Sequence, residues 1–259
     1  LPARDLALLT EAAREAGRIA MRYWRQEPKV WDKGGDHGPV TEADLAVNDM
    51  LKARLLEARP DYGWLSEETP DDAARLGCEA VFIIDPIDGT RAFVAGEETF
   101  AHSLAVAHQG KVTAAVVFLP ALDRLYTAAE TAPPLKDGQP ITASTRDRLE
   151  GADILTTKAN LDPEKWPGGV PDIQRSFRAS LAYRLCLAAE GRFDGMLTLR
   201  EAWEWDIAAG SLIATRAGSV VTDRTGAALR FNTPLARADG VLALPQSLHS
   251  DVVERLSGR

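Results

Sequence analysis

Apolar and polar positions follow two periods along this chain. Leu6, Leu9, Ala13, Ala16, Ala20 and Tyr23 recur at three- and four-residue spacing, which predicts an amphipathic helix over residues 5–25, closed by Pro28. The stretch Lys33-Gly34-Gly35-Asp36-His37-Gly38-Pro39 is too rich in glycine for regular structure. A second helix is expected from Thr41, with Val47, Met50, Leu51 and Leu55 on its apolar face and Pro60 beyond its end. Residues 80–84 form a short continuous apolar run, the pattern of a buried strand, ending at Asp85. Strands are then expected at 100–108, 111–119 and 124–129.

Pro133-Pro134 and Asp137-Gly138 mark a division into an N-terminal half, residues 1–132, and a C-terminal half, residues 133–259. The second half alternates: a strand near 153–157, helices at 180–190 and 206–217, strands at 196–199, 219–223 and 240–244, and a short terminal helix. The proline- and glycine-rich loop over 160–176 is a candidate mobile rim for a site. The mixture predicts a layered α/β architecture with α+β character.

The bulk numbers narrow the function. A formal net charge of −8 argues against a general nucleic-acid surface, yet leaves room for an anionic small molecule wherever a bound cation inverts the local field. Two distant cysteines, Cys78 and Cys186, make no disulfide framework and read as reduced thiols. The N-terminal segment lacks the apolar stretch of a secretory signal, and no run approaches ~18 apolar residues, so a cytoplasmic location is the expectation.

The sharpest chemical feature is Asp85-Pro86-Ile87-Asp88-Gly89-Thr90. Two carboxylates three residues apart follow a buried strand. Gly89 permits close backbone approach, and Thr90 is expected to open a short helix over residues 90–94. Carboxylates hold hard cations such as Mg²⁺, helix-terminal amides hold phosphate oxygens, and phosphoryl transfer needs the two side by side. An Asx-type turn would account for a lone Asp-x-x-Asp, but not for the whole string.

Other acidic residues carry ordinary readings as well. Glu67-Glu68 alone is a solvated pair. Thr41-Glu42-Ala43-Asp44 fits a capping box, with Asp44 at its fourth position. Asp206 fits the N-cap of the helix that follows it, although Trp203, Trp205 and Ile207 surround it with apolar bulk.

Taken together, these segments resemble the inositol monophosphatase superfamily. Trp64-Leu65-Ser66-Glu67-Glu68, the Asp85–Phe93 block and Trp205-Asp206-Ile207-Ala208-Ala209-Gly210 stand in the order and spacing of that family, and Pro39-Val40-Thr41-Glu42-Ala43-Asp44 resembles its upstream block. The resemblance implies a layered αβαβα sandwich, a homodimer and lithium inhibition. It implies a Mg²⁺-dependent phosphatase with roughly two or three ions per site. Glu67, Asp85, Asp88, Asp206 and the Ile87 carbonyl match the metal ligands. Gly89 and Thr90 match the phosphate-binding turn. Asp44 and Thr90 match the pair that orients and deprotonates the attacking water, and Lys33 matches a loop lysine.

Around residues 91–96 and 180–184 the chain looks closest to bacterial CysQ-type 3′(2′),5′-bisphosphate nucleotidases, which convert adenosine 3′,5′-bisphosphate to AMP and phosphate. Arg178, Arg184 and Arg200 are candidates for a second phosphate, since guanidinium binds phosphate bidentately. The alternative is an inositol-1-phosphate, sugar-phosphate or histidinol-phosphate phosphatase. Its substrate glutamate falls where this chain has Leu199, leaving Glu201 or Glu204 as substitutes. Trp203 and Trp205 are either packing residues or a platform for adenine. A non-catalytic metal-binding relative would lack a ligand or the Thr-Asp pair, and none is missing.

Overall fold

The computed structural model describes residues 2–34 and 38–258. Gly35, Asp36 and His37 of the glycine-rich loop lie outside the described residues. In chain order the first elements are α1 (Pro2–Tyr23), β1 (Val30–Asp32), β2 (Pro39–Thr41), α2 (Glu42–Ala58), β3 (Gly63–Ser66), β4 (Ala80–Asp88) and α3 (Thr90–Val94). Strands β5 (Ala101–His108), β6 (Lys111–Leu119), β7 (Arg124–Ala129), β8 (Ala132–Lys136) and β9 (Gln139–Pro140) follow as a meander. The remainder comprises β10 (Ala152–Leu155), β11 (Ile173–Ser176), α4 (Leu181–Ala189), β12 (Gly195–Thr198), β13 (Ala202–Trp203), α5 (Glu204–Arg216), β14 (Val220–Thr222), β15 (Arg237–Ala238), β16 (Val241–Leu244) and α6 (Gln246–Ser257).

Strands β3 to β9 form a seven-stranded sheet in sequence order, parallel only between β3 and β4. A second, five-stranded sheet has the order β11-β10-β12-β16-β14. Because side chains alternate across a strand, each apolar run feeds two cores. Phe82, Ile84, Leu104, Val106, Val116 and Phe118 pack on α1 and α2. Their neighbours Ile83, Ala105, Ala107, Ala115 and Val117 face α4 and α5, which also cover Met196, Val241 and Ala243 of the second sheet. The outer face of that sheet, including Leu197, Leu242 and Leu244, packs on Leu248 and Val252 of α6. The result is the expected αβαβα sandwich.

Small residues let the central helices approach. A Cβ built on Gly210 of α5 would lie 2.6 Å from the Leu185 Cβ of α4, closer than carbon atoms can approach. The expected division at 132/133 falls within β8, which pairs with β7, and the first sheet ends only at Pro140. Proline is tolerated there because Pro133 and Pro134 fall where the β7–β8 register shifts and Pro140 lies on the edge strand β9. The loop over 160–176 is anchored at two points: Trp166 is buried, its indole N–H donating to the Asn160 carbonyl at 2.8 Å, and residues 173–176 form β11. Both cysteines are free thiols. Among the described residues, no helix is long and apolar enough to cross a membrane.

Candidate active site

In a regular strand, residues three apart point to opposite faces. Asp85 and Asp88 escape this rule through a bulge. Asp85 pairs with Ser103 and Asp88 with Ala101, so Pro86 and Ile87 together oppose the single residue His102. The extra residue restores Asp88 to the face occupied by Asp85. Strand β4 therefore runs to Asp88, beyond the expected end at Asp85; Pro86 is accommodated because a bulged position needs no ladder N–H.

Asp206 completes the cluster. Carboxylate oxygens of Asp85, Asp88 and Asp206 all lie within 4.8 Å of one another. Asp206 stands in the first turn of α5, not at its cap as expected. The helix begins two residues earlier, at Glu204, whose carboxylate accepts the Asn232 N–H at 2.6 Å, the Thr233 N–H at 2.9 Å and the Thr233 hydroxyl at 2.6 Å. Those bonds occupy Glu204 fully and remove it from substrate binding.

Glu67 follows β3 and its N–H reaches the Ile84 carbonyl at 3.3 Å, which places its side chain beside the aspartates. The Lys33 ammonium bridges Glu67 at 2.8 Å and Glu68 at 2.7 Å. Glu68 is no solvated surface residue, with a side chain only 3% exposed.

The Thr–Asp pair assembles across 46 residues of sequence. Thr41 caps α2 and its N–H and hydroxyl donate to Asp44 Oδ2 at 2.8 and 2.5 Å, the expected capping box. The other oxygen, Oδ1, lies 3.3 Å from the Thr90 hydroxyl, which is also 3.1 Å from the Ile87 carbonyl. Gly89 precedes α3 at φ 96°, the left-handed region that glycine alone enters freely. Asp88 Oδ2 accepts from the Ser180 hydroxyl at 2.7 Å and from the Ala182 N–H at 2.6 Å, so the start of α4 fixes that carboxylate. Ser180, which also caps α4, escaped sequence reading: a helix cap is legible locally, a bond across 92 residues is not.

Burial and mutual repulsion raise the carboxyl pKa values together. Asp85 and Asp206 are held well above the ordinary range, by burial first and then by neighbouring carboxylates. Burial also raises Glu67 to about 7, against the pull of Lys33, and Asp44 to about 6, against its bonds from Thr41. A cluster that resists ionisation on its own is one that a cation relieves. Asp85 Oδ1 is buried with no hydrogen-bond partner, an acceptor whose need a cation meets. The all-oxygen donor set of Glu67, Asp85, Asp88, Asp206 and the Ile87 carbonyl suits a hard divalent ion. These residues, except the recessed Asp44, open onto one cavity of about 590 Å³ with Gly89, Thr90 and Arg200.

The arginines separate. Arg200 and Arg184 both line the cavity. The buried Arg184 guanidinium donates to the carbonyls of Arg178 and Ala179 at 2.5 and 3.1 Å and sits 4.6 Å from the Phe177 ring centre. It pins the loop before α4, and its charge faces Asp88 and Asp206. Arg178 is half-buried and lies over Phe193, outside the cavity lining. Glu201 is tied to Arg237 at 2.9 Å, and Leu199 is buried. Trp203 and Trp205 stack on each other at 4.6 Å and 11°, while Arg237 lies 3.8 Å from the Trp203 ring centre. Two groups so close to one ring must occupy opposite faces, which leaves no face of Trp203 for adenine. Phe177, 46% exposed at the cavity, was not foreseen, because a lone aromatic in a loop carries no periodic signal.

The chain is similar to known proteins over nearly its whole length. The model of the inositol monophosphatase family matches residues 3–257. An inositol-1-monophosphatase of Rhizobium meliloti is 36% identical over 234 residues, covering 85% of this chain and 86% of that protein. The Nus factor SuhB of Pseudomonas aeruginosa is 32% identical, covering 87% and 86%. Among solved structures, an IMPase of Thermotoga maritima superposes with a TM-score of 0.83 at 27% identity, covering 99% of this chain and 97% of that one.

Proposed function

The chain belongs to the inositol monophosphatase family, a family of phosphatases, and from that premise we propose that it is a Mg²⁺-dependent phosphate monoester hydrolase acting on a small metabolite. The observation that carries the metal reading is the convergence of Asp85, Asp88 and Asp206 around the unpartnered Asp85 oxygen. Glu67, the three aspartates and the Ile87 carbonyl would hold the ions. When bound, they supply positive charge for the phosphate and the leaving oxygen and acidify water.

The chain's own groups do the rest. Gly89 and Thr90 cradle the phosphate. The Thr90 hydroxyl orients a water molecule and passes its proton to Asp44, whose second oxygen is fixed by Thr41. Thr90 alone is too weak a base, so the 3.3 Å contact to Asp44 is what makes the pair competent. Lys33 holds Glu67 at 2.8 Å, and a bound ion would replace its ammonium as the positive partner of that carboxylate.

For the substrate we infer a phosphate monoester whose leaving group carries a second anionic group, with adenosine 3′,5′-bisphosphate as the test case. Arg200 and Arg184 line the cavity, and Glu204 and Glu201, the candidate acceptors for a neutral polyol, are both engaged elsewhere. Phe177 offers an exposed ring to a base. The second reading, inositol-1-phosphate, is favoured by the 36% identical relative. A cytoplasmic homodimer inhibited by lithium belongs to the same proposal.

Phosphate release with Mg²⁺ from the two substrates at equal concentration separates these readings. We expect preference for the bisphosphate, and Arg200→Ala should raise its KM about tenfold or more while changing KM for inositol-1-phosphate little. Preference for inositol-1-phosphate, with Arg200→Ala silent, would replace the first reading by the second.

A further inference from the structure

His102 is absent from the chemistry described so far, yet it is the residue that the β4 bulge confronts. It is fully buried on β5, and it alone stands opposite Pro86 and Ile87 where the register jumps from Asp85–Ser103 to Asp88–Ala101. Its Nδ1 lies 2.5 Å from the Pro86 carbonyl oxygen. A carbonyl only accepts, so the proton is on Nδ1. The other ring nitrogen, Nε2, is buried without a partner, and the ring lies 6.4 Å from that of Phe100 and 6.3 Å from that of Phe118. An apolar nest of this kind tolerates a neutral imidazole and not a charged one; burial accordingly lowers the pKa of His102 to about 4.

A bulge leaves part of the strand ladder unpaired, and Pro86 has no N–H with which to help. The buried Pro86 carbonyl therefore needs a donor from outside the ladder. His102 supplies it from the opposing strand. We propose that His102 is a positioning residue: its Nδ1–H pins the Pro86 carbonyl, fixes the bulge, and thereby holds Asp85 and Asp88 on one face at the spacing a divalent cation requires. It never touches substrate or metal. Its effect reaches the site through Pro86, the peptide between the first aspartate and Ile87, whose carbonyl accepts from Thr90. The inference rests on the reading that this cluster binds a divalent ion.

The test uses Mg²⁺ alone as the probe. Calorimetric titration of the unliganded full chain compares wild type with His102→Asn, His102→Gln and His102→Leu, alongside far-UV circular dichroism and thermal melting. An asparagine amide places an N–H close to the Nδ1 position, a glutamine amide carries it one bond further, and leucine has none. We expect His102→Asn to bind Mg²⁺ within about threefold of wild type, and His102→Gln and His102→Leu about tenfold or more weakly, in the range seen when a supporting hydrogen bond behind a metal ligand is lost. Catalytic rate at saturating Mg²⁺ should recover more than apparent Mg²⁺ affinity does. Should His102→Leu fail to fold, the asparagine–glutamine pair, alike in polarity, decides alone. Equal Mg²⁺ affinity in these two variants, or wild-type affinity in His102→Leu, would overturn the proposal. Failure of the wild type itself to bind Mg²⁺ would instead strike the metal reading beneath it.

Discussion

Replacing Asp88 with asparagine removes one charge from the cluster and keeps the side chain's size. In the metal-free protein two effects oppose. The bonds from Ser180 and Ala182 pass from a charged to a neutral acceptor, which loses about 1 kcal/mol each. Repulsion from Asp85 and Asp206 is relieved: at 4.8 Å, with an effective dielectric of about 20, an ionised pair repels by about 3.5 kcal/mol. One ionised neighbour thus more than offsets the weakened bonds, leaving a net gain of about 1–2 kcal/mol at a pH above that neighbour's raised pKa. For a chain of this size that raises the melting temperature by roughly 2–8 °C in EDTA. With excess Mg²⁺ the order reverses, because wild type gains the binding energy of the ion and the variant loses a ligand. Turnover should fall by at least about 10³-fold, equivalent to ~4 kcal/mol of transition-state stabilisation. Thermal melts with and without Mg²⁺, together with phosphate release, read all three quantities. Near-normal turnover, or Mg²⁺ stabilising both proteins equally, would refute the placement of Asp88 at the metals.

Further outcomes are expected. Asp44 keeps its proton up to about pH 6 in the native state, above its ordinary value, so the stability this confers is complete below about pH 4 and lost as pH rises through 6. Asp44→Asn should therefore gain on wild type by up to about 3 kcal/mol between pH 4 and 7 in EDTA, and a difference that stays constant across that window would contradict the burial argument. Asp44→Asn should also abolish most turnover while leaving Mg²⁺ titration nearly intact; loss of both would move Asp44 into the metal site. Arg178→Ala should leave KM for either substrate within about twofold, since its guanidinium lies over Phe193 outside the cavity. Arg184→Ala should lower the melting temperature, by leaving two carbonyls unpaired, and a thermally silent variant would show that the loop over 177–179 is held otherwise.

Much of this molecule is legible in its sequence because the signals are local. The apolar run at 80–84 and the alternation through 100–129 announce the first sheet, and the Asp85–Thr90 string announces the chemistry. The capping box at Thr41 is read correctly, yet the same Asp44 also serves Thr90, and only the fold reveals that second partner. Long-range pairings explain the rest. The hairpin of β1 and β2 and the two-residue pair of β13 and β15 are too short for a periodic signal, and α5 follows β13 directly from Glu204, so that Asp206 lies inside the helix and not at its cap. Arg178 and Arg184 had equal standing in the sequence; bonds to two carbonyls make Arg184 a strut at the cavity wall, while Arg178 lies over Phe193 outside the cavity. The bulge is invisible in sequence because it depends on which strand lies opposite.

The central claim is that the carboxylate cluster serves a divalent cation in phosphate ester hydrolysis. Phosphate release should therefore be followed with adenosine 3′,5′-bisphosphate and inositol-1-phosphate, first in EDTA and then after Mg²⁺ is restored. The account predicts no turnover in EDTA and full recovery with Mg²⁺ for at least one substrate. Turnover that persists unchanged in EDTA, or none from either substrate with Mg²⁺ present, would contradict it.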